Sequence, residues 1–213
     1  MNKNLFSWEK FYQIPLVGIM RNFSLAAVKD ILPVYQESGL HTIEITMNTK
    51  GAGGIIHFLR RQYPGFNIGA GTVCTKKELL EAIDAGAQFI VTPVTDKKII
   101  QSCVKQKLPV FPGAFTPTEI YKAWSLGASM VKLYPAKTLG AAYIKDVKAP
   151  FGQIKLLPTG GIALDDIAAF RQSGADGFGI GSPLFNKQLI DEKNWPALLQ
   201  HFKNFAAEVQ VTH

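Results

Sequence analysis

The chain has 213 residues, 47% hydrophobic and 18% charged, a balance that suits one globular unit and excludes a disordered or low-complexity chain. Its formal charge of +7 comes from scattered lysines and arginines, which read as solvated helix faces, not as a nucleic-acid-binding arm or a membrane-surface patch. Cys74 and Cys103 lack CxxC spacing, no leader pattern opens the chain, and no apolar run approaches the ~20 residues of a membrane span, so a cytoplasmic protein with free thiols is expected.

Residues 4–13 are predicted to form a short amphipathic helix, with Ser7 as its cap and Phe6, Phe11 and Tyr12 on its apolar side. The apolar run from Ile14 to Arg21 suits a strand buried on both faces, as in a parallel sheet. Ser24 then caps a helical pattern that ends at Gly39. Further strands are predicted at 42–48, 67–73, 89–94, 110–115, 130–135, 155–159 and 177–180. Helices are predicted at 51–63, 76–85, 96–106, 118–126, 140–148, 163–173 and 194–209. Eight such units predict an α/β fold, a single-domain (β/α)8 TIM barrel, with an open doubly wound sheet as the alternative. The expected division is an N-terminal helix over 1–13, the barrel over 14–185 and a C-terminal helix over 186–213.

A repeated turn supports this and supplies a register. Glu37-Ser38-Gly39-Leu40, Asp84-Ala85-Gly86-Ala87, Ser125-Leu126-Gly127-Ala128 and Gln172-Ser173-Gly174-Ala175 each end a helix with a left-handed glycine and enter an even-numbered strand. Five residues beyond each glycine stand Glu44, Val91, Lys132 and Gly179. Four side chains from alternate strands make one interior layer of such a barrel, so Glu44 and Lys132 are expected to share a layer, with space left beside Val91 and Gly179. A structural ion pair is the alternative explanation of two such charges.

The chemistry follows from burial. A lysine inside an apolar barrel, with Arg21 nearby, has its pKa pushed down toward the free amine that Schiff-base formation needs, and Glu44 could then move protons. No metal is required: His41, His57, His201 and His213 fall on predicted helices, turns or the terminus. Arg21, ending the first strand, can bind a carboxylate; Gly69-Ala70-Gly71-Thr72 ends the third and offers a hydroxyl; Pro93 and Pro112-Gly113 end the fourth and fifth. Thr159-Gly160-Gly161 and Gly179-Ile180-Gly181-Ser182 end strands seven and eight, the usual phosphate site of these barrels, so a phosphorylated substrate is expected. Lys137 either adds charge at that end or is solvated.

With these segments assembled, the chain resembles the 2-keto-3-deoxy-6-phosphogluconate aldolase family, which includes 4-hydroxy-2-oxoglutarate aldolases, from about Ile14 to Phe185. The resemblance rests on Ile43-Glu44-Ile45-Thr46, on Gly69-Ala70-Gly71-Thr72-Val73, on Val131-Lys132-Leu133-Tyr134-Pro135-Ala136 with Gly140, and on Pro158-Thr159-Gly160-Gly161-Ile162. It implies a class I aldolase, usually a homotrimer, that cleaves 2-keto-3-deoxy-6-phosphogluconate to pyruvate and glyceraldehyde 3-phosphate; no cofactor is expected, and cleavage of 4-hydroxy-2-oxoglutarate to pyruvate and glyoxylate is a further expected activity. By it Lys132 is the Schiff-base lysine and Glu44 the acid/base. Arg21 and Thr72 are pyruvate-carboxylate contacts, and Thr159, Gly160, Gly161, Gly181 and Ser182 the distal and phosphate-end contacts. Apart from the resemblance, Pro93 and Tyr134 are also expected to line the substrate, with turn geometry as the alternative account of Pro93. Two positions depart from the family's pattern: Asn48 replaces a frequent arginine and is similar to galactonate-type aldolases, whereas Thr159 resembles the gluconate type; Tyr134 replaces a frequent phenylalanine. A phosphosugar epimerase, a thiamine-phosphate-synthase-like barrel and a non-catalytic sugar-phosphate-binding barrel are the remaining alternatives.

Overall fold

The computed structural model describes residues 5–210. The elements run α1 (Trp8–Gln13), β1 (Leu16–Met20), α2 (Leu25–Glu37), β2 (Thr42–Thr46), α3 (Ala52–Gln62), β3 (Asn67–Gly71), α4 (Lys76–Asp84), β4 (Ile90–Val91), α5 (Lys97–Lys105), β5 (Val110–Phe111) and β6 (Gly113–Ala114). They continue with α6 (Pro117–Ser125), β7 (Val131–Leu133), α7 (Ala136–Leu139), α8 (Ala141–Lys148), β8 (Leu156–Pro158), α9 (Ile167–Gln172), β9 (Phe178–Ile180), α10 (Lys187–Asp191) and α11 (Trp195–Val209).

All strand pairs are parallel, in the orders β5-β4-β3-β2-β1-β9 and β6-β7-β8. The two arcs join at two seams. At one, Pro112 lacks an N–H and interrupts the fifth strand, so β5 and β6 are halves of one strand, while its carbonyl still accepts from Lys132 N at 2.9 Å. At the other, a bridge between Thr159 and Gly179 links β8 to β9. The result is the expected eight-stranded barrel, with a proline break that periodicity does not show.

Local chemistry sets the helix ends. Thr75 with Glu78 and Thr116 with Glu119 form reciprocal capping boxes, and Ser7, Ser24 and Asp96 cap α1, α2 and α5; such caps stabilise their helices by about 1 kcal/mol each. Gly39, Gly86, Gly127 and Gly174 all take left-handed φ values, 87° to 98°, as the repeat requires.

The floor of the barrel is aromatic. Phe6 and Phe11 are buried against Phe111, and Phe6 also against Phe89, while Val17, Val91, Met130 and Leu157 complete the cluster. Asn67 anchors α1 by exchanging hydrogen bonds with the Ser7 backbone, at 2.7 and 2.9 Å. Trp8 joins this face, whereas Tyr12, expected on it, is largely exposed and stacks on Trp8. Asn4, placed in that helix by sequence, lies outside the described residues. Two short helices escape the sequence pattern: α7, which starts at Ala136 where a strand was expected to run to Pro135, and α10. Both are too short to show a 3.6-residue period.

Candidate active site

Strand alternation turns Glu44, Val91, Lys132 and Gly179 inward from four alternate strands, and Val91 joins this layer to the aromatic floor. Glu44 is 1% exposed and Lys132 4%. The room beside Gly179 is not left open between them, as the register suggested. A Cβ on Gly179 would lie 2.3 Å from Thr159 Oγ1, so the Thr159 side chain occupies that space, and its hydroxyl donates to Leu157 O at 3.2 Å. Gly69 and Gly71 have the same purpose: the Phe89 ring fills the place of one missing side chain and the Glu44 carboxylate that of the other, 2.2 Å from an ideal Cβ. Gly71→Ala is therefore expected to displace the carboxylate by about 1 Å and to lower turnover about 10²-fold while the chain still folds. Steady-state kinetics beside a melting curve checks this, and unchanged turnover would refute it.

No ion pair within 4.0 Å joins Lys132 to Glu44, and Glu44 Oε1, fully buried, has no hydrogen-bond partner among the described residues. Burial, the largest influence, pushes the Lys132 ammonium below the ordinary lysine value; Glu44 pulls it back up, Arg21 pushes it further down and Cys74 raises it slightly. Burial likewise raises Glu44, against the lowering effects of Lys132 and Arg21. Both groups are biased toward their neutral forms, which leaves a nucleophilic amine beside a carboxyl able to give and take a proton. The amine also faces the Tyr134 ring, 5.2 Å from its centroid.

The remaining sequence-predicted residues stand at the C-terminal ends of the strands. Arg21 follows β1, is exposed, and acts electrostatically on both Lys132 and Glu44. Thr72 follows β3 with a φ of 56°, a left-handed conformation that costs a β-branched residue about 1–3 kcal/mol and tends to mark functional sites. Pro93 is half-buried after β4. Gly160 and Gly161 take φ values of 99° and 75°, and among the described residues their backbone N–H groups meet no acceptor. Gly181 and Ser182 follow β9, with Ser182 exposed; His201 holds this loop through the Pro183 carbonyl at 2.8 Å.

Several supports escaped the sequence reading. Asn22 has a left-handed φ of 60°, and its N–H donates to the buried Thr49 hydroxyl at 3.0 Å, which shapes the backbone directly after Arg21. Asn tolerates that conformation, but only the structure shows the demand for it. Asn48 is exposed in the turn after β2 and makes no hydrogen bond among the described residues. Lys137 is not simply solvated: it is paired with Asp166. His41 contacts the Gly39 carbonyl, His57 lies exposed on α3, and His213 is outside the described residues. Among the described residues no helix is long and apolar enough to cross a membrane.

A closed parallel barrel with an amine and a carboxyl buried together below its strand ends defines a barrel enzyme of carbonyl chemistry. The chain belongs to the KDPG and KHG aldolase family, whose sequence profile matches residues 9–201, and it is a carbon–carbon lyase. It is 36% identical over 194 residues to the 2-dehydro-3-deoxy-phosphogluconate aldolase of Haemophilus influenzae, covering 88% of this chain and 89% of that one. It is 31% identical over 173 residues to a probable 2-dehydro-3-deoxy-6-phosphogalactonate aldolase of Rhizobium meliloti, covering 80% and 82%. Among solved structures, the 2-keto-3-deoxy-6-phosphogluconate aldolase of Zymomonas mobilis superposes with a TM-score of 0.83 at 26% identity, over 93% of this chain and 95% of that one.

Proposed function

We propose that this protein is a Schiff-base aldolase that cleaves 2-keto-3-deoxy-6-phosphogluconate to pyruvate and glyceraldehyde 3-phosphate, and 4-hydroxy-2-oxoglutarate to pyruvate and glyoxylate. The observation that carries this reading is the buried Lys132 amine, biased toward its neutral form, beside a buried Glu44.

The Lys132 amine attacks the C2 carbonyl to give a carbinolamine, and Glu44 supplies the proton with which the hydroxyl leaves as water. The protonated imine is then an electron sink. Glu44, now a carboxylate, takes the proton of the C4 hydroxyl; the C3–C4 bond breaks, its electron pair enters the imine as an enamine, and the aldehyde departs. Protonation of the enamine at C3 and addition of water release pyruvate and the free amine. Arg21 and the Thr72 hydroxyl hold the substrate carboxylate, and Pro93, Tyr134 and Thr159 form the wall. The N–H groups of Gly160 and Gly161, unpaired among the described residues, with Gly181 and Ser182, receive the phosphate. The working form is a cytoplasmic homotrimer, a reading that rests on the family.

Borohydride reduction in the presence of pyruvate tests the central step. A mass increase of one pyruvyl adduct on Lys132 is expected, and an adduct elsewhere or none overturns the reading. The trapping rate should rise with pH through a midpoint below the ordinary lysine value of about 10.4, because the folded protein disfavours the ammonium. Glu44→Gln removes a charge that holds the proton on Lys132, so it should lower the midpoint further; Arg21→Gln removes a repelling cation and should raise it. A midpoint unmoved by either substitution would refute this electrostatic account.

Asn48, exposed in the turn after β2 and similar at that place to galactonate-type aldolases, favours a second reading, a galactonate-type aldolase. Side-by-side kcat/KM values on the two C4 epimers decide between them.

A further inference from the structure

Thr159–Gly161 is held from the side by the segment that follows Lys132. The amides of Ala136 and Lys137 donate to the carbonyls of Thr159 and Gly160, at 2.8 and 3.1 Å. A Cβ on Gly161 would lie 3.0 Å from Lys137 Cβ, and one on Gly160 3.1 Å from the Tyr134 ring, so both glycines are packed closely under that segment. The Lys137 ammonium then reaches across to Asp166, 29 residues on, and contacts both carboxylate oxygens at 2.7 Å. Asp166 Oδ2 also accepts from the Ala163 amide at 2.8 Å, which ties the far end of the same loop.

An exposed ion pair contributes little stability by itself, so stability is a poor reason for this arrangement. Its geometry does something else. The carbonyls of Thr159 and Gly160 are engaged on the α7 side, while the amides of Gly160 and Gly161 meet no acceptor among the described residues. Two left-handed glycines could adopt many other conformations; contacts on both flanks remove that freedom and keep the amides converged. The Lys137 charge is already matched by Asp166, so the pair presents the loop instead of binding an anion directly.

We propose that Lys137 and Asp166 are a positioning pair, a latch that holds the Thr159–Gly161 loop in the shape that receives the substrate phosphate. This rests on the reading above that the loop takes the phosphate.

The test compares Lys137→Met, Asp166→Ala, the double variant and Lys137→Arg on two substrates, 2-keto-3-deoxy-6-phosphogluconate and the phosphate-free 4-hydroxy-2-oxoglutarate. Each single variant is expected to raise KM for the phosphorylated substrate about fivefold, the upper end of what an exposed ion pair can contribute by ordering its loop. Its kcat, and both constants on the phosphate-free substrate, should stay within about twofold. The double variant should be no worse than the worse single, since the two groups act as one unit. Lys137→Arg, which keeps the ion pair, should behave as wild type. Equal losses on both substrates, additive losses in the double variant, or an unchanged KM overturns the latch. If the wild type turns over neither substrate, the aldolase reading falls instead. The latch is then decided by inorganic phosphate binding in calorimetry: about fivefold weaker in both single variants supports it, and equal affinity overturns it.

Discussion

Lys132→Ala is expected to leave less than about one part in 10⁴ of wild-type turnover, because the reaction loses its only covalent path and not merely a contact. Lys132→Arg should be as inactive, since a guanidinium keeps its proton and cannot add to a carbonyl. That second substitution separates two accounts of a buried lysine. A cation retained to balance Glu44 would be replaced well by arginine, whereas a nucleophile would not. No ion pair within 4.0 Å joins the two groups, which argues against the balancing role. Steady-state kinetics on both variants, with circular dichroism to show that they fold, makes the measurement. Activity in Lys132→Arg above about a tenth of wild type would overturn the nucleophile assignment.

Gly113→Ala is expected to have the largest effect on stability. A Cβ there would stand 2.3 Å from both the carbonyl carbon and oxygen of Pro93 and 2.9 Å from Thr92 O. Those atoms are backbone at the end of β4 and cannot rotate away as a side chain can, so β4 and the β5–β6 strand must separate. Overpacking of this kind costs about 3 kcal/mol or more, and at ~2–4 °C per kcal/mol for a chain of this size the melting temperature should fall by roughly 6–12 °C. Gly113 is also the register partner of Lys132, so the shift reaches the active site. Gly54→Ala on α3 is the control: its Cβ would meet nothing within 4 Å, and the gain in helix propensity should stabilise by about 0.5–1 kcal/mol. Equal melting temperatures for the two variants would show that the clash is relieved by a backbone movement of little cost.

Sequence alone determined the barrel and the depth of its key charges. Four helix-ending glycines mark equivalent points in alternate βα units, and a constant offset from them reaches Glu44 and Lys132 because strand alternation and barrel layering are both periodic. Strand-end positions such as Arg21, Thr72 and Gly160 were legible for the same reason. What occupies the space between such positions is not periodic, and only the tertiary structure decided it. It put the Thr159 side chain over Gly179, folded Glu44 against Gly71, left no ion pair within 4.0 Å between Lys132 and Glu44, and broke the fifth strand at Pro112. Lys137 shows the limit most plainly. In sequence it is one more lysine in a loop, and nothing local indicates Asp166, 29 residues away, as its partner. That pairing exists because barrel closure brings the loops after β7 and β8 side by side, and contacts between neighbouring loops depend on three-dimensional closure, not on the spacing of residues along either one.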